Sequence, residues 1–280
     1  MNAIFLVSKL TVRETVRSRT YGFIVILALV SFACIHLFSD FTSQEQEKFL
    51  KDAGLAMITF CSLIVGVFLG TSPIQSDIEN KNIYTYLTNP SALLHYLLGR
   101  FLGSALLIGL TILIMGIVFY LYLIVQRLNI FIEQSHVELR FLDIIKDSIQ
   151  KGFFSNLNLF KVFITIFLQG TIICSISFLF SSLLTSSLAI ACSILIFLLS
   201  HFTNFLIQTS FLYNAFWGHV LQVLFIGLPN FENFNIADAI VLGQGISFQY
   251  IGWLTIYSVF LWVIYLSLSH KFISVRSSNF

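Results

Sequence analysis

Long runs of apolar residues, separated by short polar stretches, set out the architecture of this chain. Six runs are apolar on every face, at about Gly22–Phe38, Ala53–Thr71, Phe101–Val125, Val162–Ser181, Ser187–Ile207 and Phe248–Leu268. Each approaches the roughly 20 residues that a helix needs to cross a hydrocarbon core. None alternates with the period of two expected of a barrel strand. The pattern predicts an all-α polytopic membrane protein, one transmembrane domain over residues 1–280 with six transmembrane helices. Residues 2–21 interleave Ile4, Phe5, Leu10, Val12 and Val16 with Arg13, Glu14, Arg17 and Arg19. That spacing suits an amphipathic entry helix lying in the interface, in contact with lipid headgroups. A plain basic flank ahead of the first span fits it equally well.

Two further segments between the spans carry structure. Leu139, Leu142, Ile145 and Ile149 recur every three to four residues, which predicts a surface-lying helix in the loop 126–161. In 208–247, the apolar run Val220–Leu228 ends at Pro229-Asn230 and is too short to span, so with Phe211–Trp217 it reads as an outer re-entrant or interfacial segment.

Composition agrees with the pattern: 57% of residues are hydrophobic and 10% charged, against roughly a quarter charged in soluble domains. The first span follows a charged start, as a signal peptide would. The 21 residues before it are long for that role, and no small-residue cleavage pattern follows, so it counts as a true span. Lys9, Arg13, Arg17 and Arg19 precede the first span, and Lys271 and Arg276 follow the last. Positive-inside counting then puts both termini in the cytoplasm of a cell (inner or plasma) membrane, although loop 126–161 also carries five basic residues. The segment 77–100 is cytoplasmic on the same reasoning.

Candidate chemistry is sparse. No nucleotide-binding GxxxxGK[ST] loop, HExxH helix or GxSxG elbow occurs, so this chain is expected to be no enzyme and to bind no cofactor or metal. Cys34, Cys61, Cys174 and Cys192 lie inside spans without ligand spacing and read as apolar packing residues. The spans are nearly free of ionisable groups; Gln169, His201 and Asn204 are their most polar side chains and the candidates for a pathway, with a hydrogen-bonded structural role the plainer reading of His201. Gly66/Gly70 and Gly99/Gly103 form small-xxx-small pairs suited to close helix packing, as do Ala189/Ser193. Pro73, Pro90 and Pro229 all fall at or beyond span ends.

The most informative stretch is Asp77–Gly103, DIENKNIYTYLTNPSALLHYLLGRFLG. It is polar and charged at first, turns at Asn89-Pro90, and re-enters the membrane through Gly99-Arg100-Phe101-Leu102-Gly103. With no energy source in the chain itself, such a segment reads as a docking surface for a soluble partner. It resembles the loop of ABC type-2 exporter permeases, a family that includes the permease of the nitrous oxide reductase maturation transporter. The likeness lies in acidic Glu79, the stretch Ile83-Tyr84-Thr85-Tyr86-Leu87, the turn at Pro90 and the entry Leu98 to Gly103. Asn82 and Leu93 depart from the family pattern, which has Thr or Gly and a basic residue there. More loosely, Thr11–Tyr21 is similar to the family's entry helix with its Arg-Glu-x-x-Arg, and Leu228-Pro229-Asn230-Phe231 to its Pro-Asn-Phe stretch.

The resemblance implies a homodimeric permease served by two copies of a cytoplasmic ATPase subunit, which would hold the ATP and Mg. Residues 77–96 would form the coupling helix, with Tyr84, Tyr86, Leu87 and Leu94 as anchors and Asp77, Glu79 and Lys81 at the rim. Membrane lipid is a further expected contact, a periplasmic or accessory protein would be compatible, and no nucleic acid is expected. The 31 phenylalanines suit an amphiphilic substrate and equally a lipid-facing exterior. No Met/His/Cys cluster is present to handle copper, so a role in copper-site maturation would be mechanical. Two other classes stay open: a non-transporting anchor or sensor that recruits a partner through the same loop, and an ATP-independent secondary transporter.

Overall fold

The computed structural model describes residues 2–19, 21–22, 26, 30, 46–80, 90–134, 141–203, 228–237, 239 and 245–278. Among them every regular element is helical: α1 (Asn2–Arg17), α2 (Gln46–Glu79), α3 (Pro90–Gln134), α4 (Phe141–Leu183), α5 (Ser186–His201), a 3-10 turn (Glu232–Phe234) and α6 (Phe248–Ser278). Among the described residues, four stretches are long and apolar enough to cross a membrane: Lys48–Glu79, Leu93–Gln126, Leu159–Leu183 and Phe248–Val275. The chain is therefore membrane-embedded. These four contain the expected second, third, fourth and sixth spans. The expected first span falls largely outside the described residues. The expected fifth appears as the shorter apolar helix α5, and residues 204–207 lie outside the description.

Two expectations need correction. The periodic residues 141–151 do not make a separate surface-lying helix. They continue without a break into the fourth span, as one helix of 43 residues that is about 65 Å long. Pro73 does not end a span either: α2 runs on through it to Glu79. A proline there removes the bond to the carbonyl four residues back, that of Leu69. Ser104 on α3 donates to this carbonyl across 3.4 Å, and to its own Arg100 carbonyl at 3.0 Å. The helix survives its proline because the neighbouring helix occupies the carbonyl that the ring leaves free.

The core is the seam between α2 and α4, which small residues bring close together. A Cβ on Gly66 would stand 2.8 Å from the Gly170 carbonyl oxygen, and one on Gly70 would stand 2.3 Å from Ser177 Cβ. Ser181 Oγ adds a bond to the Thr71 carbonyl at 3.1 Å. In lipid, such contact and polar stitching replace the hydrophobic drive that packs helices in water. Around this seam, α3 and α6 turn large apolar side chains outward, among them Leu106, Leu113 and Ile117 on α3 and Trp253, Ile256 and Phe260 on α6. At the far end, the segment 228–236 is pinned to α5 and α6. Phe231 N–H donates to the Ser200 carbonyl at 3.2 Å, Asn230 N–H to Tyr257 Oη at 3.2 Å, and Tyr250 Oη to the Asn233 carbonyl at 2.8 Å. On the same side Lys161 Nζ donates to the Ile246 carbonyl at 2.7 Å.

The α2–α4 seam separates two glycine substitutions of similar chemistry. Gly70→Val pushes carbon into Ser177 and the Cys174 carbonyl, and is expected to cost about 3 kcal/mol, the upper range for overpacking. Gly252→Ala on α6 meets nothing within 4 Å and is expected to stay within about 1 kcal/mol of the parent, on the stabilising side. Thermal unfolding of the detergent-solubilised chain, followed for both variants, checks the contrast.

Candidate functional site

The candidate site grows from the docking of α1 on α3. Val7, Ser8 and Thr11 are buried, while Phe5, Leu6, Lys9 and Leu10 of the same helix are exposed. The buried positions recur at the three-to-four spacing of one helix face. Opposite them stand Gly99 and Gly103. A Cβ on Gly99 would lie 2.7 Å from Val7 Cβ and 2.9 Å from the Ile4 carbonyl oxygen; one on Gly103 would lie 2.7 Å from Thr11 Cβ and 2.9 Å from the Ser8 carbonyl oxygen. The two backbones therefore meet almost directly, and the residue after Gly99 is drawn against the polar end of α1.

That residue is Arg100, only 4% exposed. Its guanidinium ties three helices together. Nη2 meets Asp77 Oδ2 of α2 at 2.6 Å, and Nη1 meets Glu14 Oε2 of α1 at 2.7 Å. Nη1 also reaches Thr11 Oγ1 at 3.4 Å, and that hydroxyl in turn donates to the Val7 carbonyl at 2.9 Å. Tyr96, one turn before Arg100 on α3, donates its hydroxyl to the same Asp77 oxygen, and the Arg100 guanidinium carbon lies 5.7 Å from the Tyr96 ring centroid. Of the three guanidinium nitrogens, Nε has no hydrogen-bond partner among the described residues.

The two limbs of this clasp differ in exposure. The Asp77 side chain is 10% exposed and that of Glu14 is 53%. A buried pair that loses one partner leaves an uncompensated charge, at about 3–5 kcal/mol. An exposed pair is worth roughly 1 kcal/mol or less. The Asp77–Tyr96–Arg100 limb is thus the permanent part and Glu14 the light one. Between α1 and α2, the clasp borders a cavity of about 370 Å³. Glu14, Thr15, Ser18 and Tyr21 line one side, and Ser72, Ser76, Asp77 and Asn80 the other.

The residues singled out in the sequence fare unevenly. Asp77 does not sit at a docking rim: it is buried in the clasp. Glu79 is exposed at the end of α2 and accepts from Gln75 Nε2 at 3.4 Å. Lys81, Tyr84, Tyr86 and Leu87 lie outside the described residues; Pro90 is the first residue of α3, and Leu94 is exposed. All four glycines, Gly66, Gly70, Gly99 and Gly103, stand at close helix approaches. Gln169 is buried. His201 accepts or donates through Nδ1 at 3.1 Å from the Phe197 carbonyl, and its ring stands 4.4 Å from Phe197 and 5.9 Å from Phe231, which gives it a packing role. Asn204 lies outside the described residues. Among the described residues no group of three His, Cys, Asp or Glu could hold a metal ion.

Sequence reasoning passed over Arg100 as a site residue, and with it Tyr96, Thr11 and Glu14. The signal was present: an arginine between two glycines at the mouth of an apolar run needs a nearby anion. No family model matches the chain, and no curated protein does.

The clasp makes a graded prediction for stability. Arg100→Met leaves Asp77 buried without its cation and is expected to cost about 3–5 kcal/mol, whereas Tyr96→Phe removes one hydrogen bond at about 1–2 kcal/mol. Arg100→Met combined with Asp77→Leu is expected to regain most of the single-variant loss. Melting temperatures in detergent, measured as a double-mutant cycle, check the order.

Proposed function

We propose that this chain is the permease subunit of an ATP-binding-cassette transporter, driven through its 77–96 segment by a separate ATPase subunit. The observation that carries the reading is the joining of that segment's two roots. Asp77 near the end of α2 is bonded to both Tyr96 and Arg100 near the start of α3. A partner pushing on the residues between them moves both spans together rather than bending a slack loop. Arg100 extends the same tie to α1 through Glu14. The resemblance of Glu79, Ile83–Leu87, Pro90 and Leu98–Gly103 to the loop of ABC type-2 exporter permeases supports the same reading.

In this reading six helices cross a cell membrane, the basic termini face the cytoplasm, and two copies of the chain pair with two ATPase subunits that bind ATP and Mg. The chain itself is no enzyme. Tyr84, Tyr86, Leu87 and Leu94 supply apolar and aromatic contacts of the kind that dominate interfaces. Glu79 and Lys81 act at the rim, on association rate and register. Asp77 is withdrawn from the docking surface and serves as its anchor. ATP-driven closure of the ATPase pair shifts the bundle between inward and outward states, for export of a substrate or for transmission of force.

Affinity purification of the chain from native membranes in mild detergent tests the reading. An ATPase subunit with a nucleotide-binding loop is expected to come with it, and Glu79→Arg combined with Tyr84→Ala is expected to weaken that association by about 30-fold, or roughly 2 kcal/mol at an anchor. Recovery of the chain without such a subunit, together with no change in the double variant, would sink it. Activity dependent on an ion gradient and indifferent to ATP would point to a secondary transporter.

A further inference from the structure

The clasp is not uniformly rigid, and its asymmetry has a direction. Asp77 is held twice, by Arg100 Nη2 and by the Tyr96 hydroxyl, and is buried. Glu14 is held once, by Arg100 Nη1, with half of its side chain open to solvent. Behind it, the last turn of α1 and Ser18 and Tyr21 beyond it do not pack flush against α2. The cavity of about 370 Å³ separates them, lined on both sides by hydroxyls, from Thr15, Ser18, Ser72 and Ser76. Toward its N-terminal half, by contrast, α1 is seated firmly at Gly99 and Gly103. The N-terminal half of α1 is thus fixed on α3 by close packing; beside the cavity Glu14 ties it to Arg100 of α3 through an exposed ion pair, and beyond α1 the buried Tyr21 is anchored on α3, its hydroxyl 2.8 Å from Thr111 Oγ1.

We propose that the Glu14–Arg100 pair is a releasable latch, which sets the spacing between the C-terminal end of α1 and α2 and opens so that the two walls of the cavity part. Arg100 keeps its charge balanced by Asp77 when Glu14 leaves, so release uncovers no unpaired buried cation. Glu14 leaves into water, where a carboxylate is readily solvated. Glu14 and Arg100 are positioning residues here: they touch no substrate. Only the driving force, ATP, rests on the permease reading.

A cysteine pair across the cavity, Ser18→Cys with Ser72→Cys, reports the spacing. The full chain in lipid vesicles is treated with a short bifunctional maleimide, and the linked peptide is measured by mass spectrometry. Each single variant supplies the background from Cys34, Cys61, Cys174 and Cys192. Adding Glu14→Gln is expected to lower the linking yield about threefold or more, the size of a modest shift between two states, with the melting temperature unchanged. Glu14→Asp, which keeps the charge, is expected to retain most of the yield. An unchanged yield in Glu14→Gln overturns the latch; so does a lower yield with a lower melting temperature, because Glu14 is then a structural brace. In vesicles that also contain the co-purified ATPase subunit, ATP is expected to reproduce the drop with Glu14 intact. A drop in Glu14→Gln without any effect of ATP leaves the latch standing and counts against the ATP-driven reading alone.

Discussion

A guanidinium at the mouth of a membrane span must find anions close by, and the neutralisation of Arg100 organises one end of this molecule. Its charge cannot be shed and its desolvation is costly. Burial at 4% exposure is sustained by the buried carboxylate of Asp77 on α2, with the more exposed Glu14 of α1 as a second, lighter partner. Satisfying that one group holds the end of α2 against the start of α3, while α1 is seated on α3 at Gly99 and Gly103 and meets Arg100 through Glu14. The opposite end of the bundle holds the buried Lys161, whose Nζ donates to the Ile246 carbonyl at 2.7 Å. It is closed by aromatic packing around Phe231 and by backbone and hydroxyl bonds.

The interior distributes stiffness unevenly. The α2–α4 seam is close-packed through Gly66, Gly70 and Gly170, and close-packed interiors transmit displacement rather than absorb it. The last two turns of α2 follow Pro73, where one backbone bond is missing. Ser104 partly restores it from α3, one turn after Arg100. A load applied beyond Glu79 therefore passes through the clasp and the Ser104 contact into α3, and through the small-residue seam into α4.

Much of the fold was legible because membrane spans are written in local composition. Four of the six apolar runs coincide with helices long enough to cross, and the glycine pairs at 66/70 and 99/103 mark real close approaches. Legibility failed where the outcome depended on neighbours. Polar residues at 141–151 suggested a helix of its own, yet nothing in them breaks α4, which simply outgrows the apolar span. Pro73 suggested an end, yet a hydroxyl from another helix lets α2 continue. The site was the hardest part. Asp77 and Glu79 look alike in sequence as acidic neighbours in a polar stretch, and two residues of helical rotation bury one and expose the other. Arg100 finds its partners 23 and 86 residues away, distances at which no local pattern carries information.

The glycines and the arginine of Gly99-Arg100-Phe101-Leu102-Gly103 are two halves of one arrangement. With Cβ atoms at positions 99 and 103, α1 would stand farther from α3, and Thr11 and Glu14 would fall out of reach of Nη1. Without Arg100 the polar end of α1 would have no counterpart on α3, and the close approach would bury Thr11 beside nothing but apolar surface. A lysine at position 100 would offer a compact point charge to one carboxylate. The planar fork of a guanidinium presents separate donors to Asp77 and Glu14 at once. It is this fork that allows a strong limb and a weak limb to share one cation. The same residue can then hold α2 and α3 together while its bond to Glu14 opens.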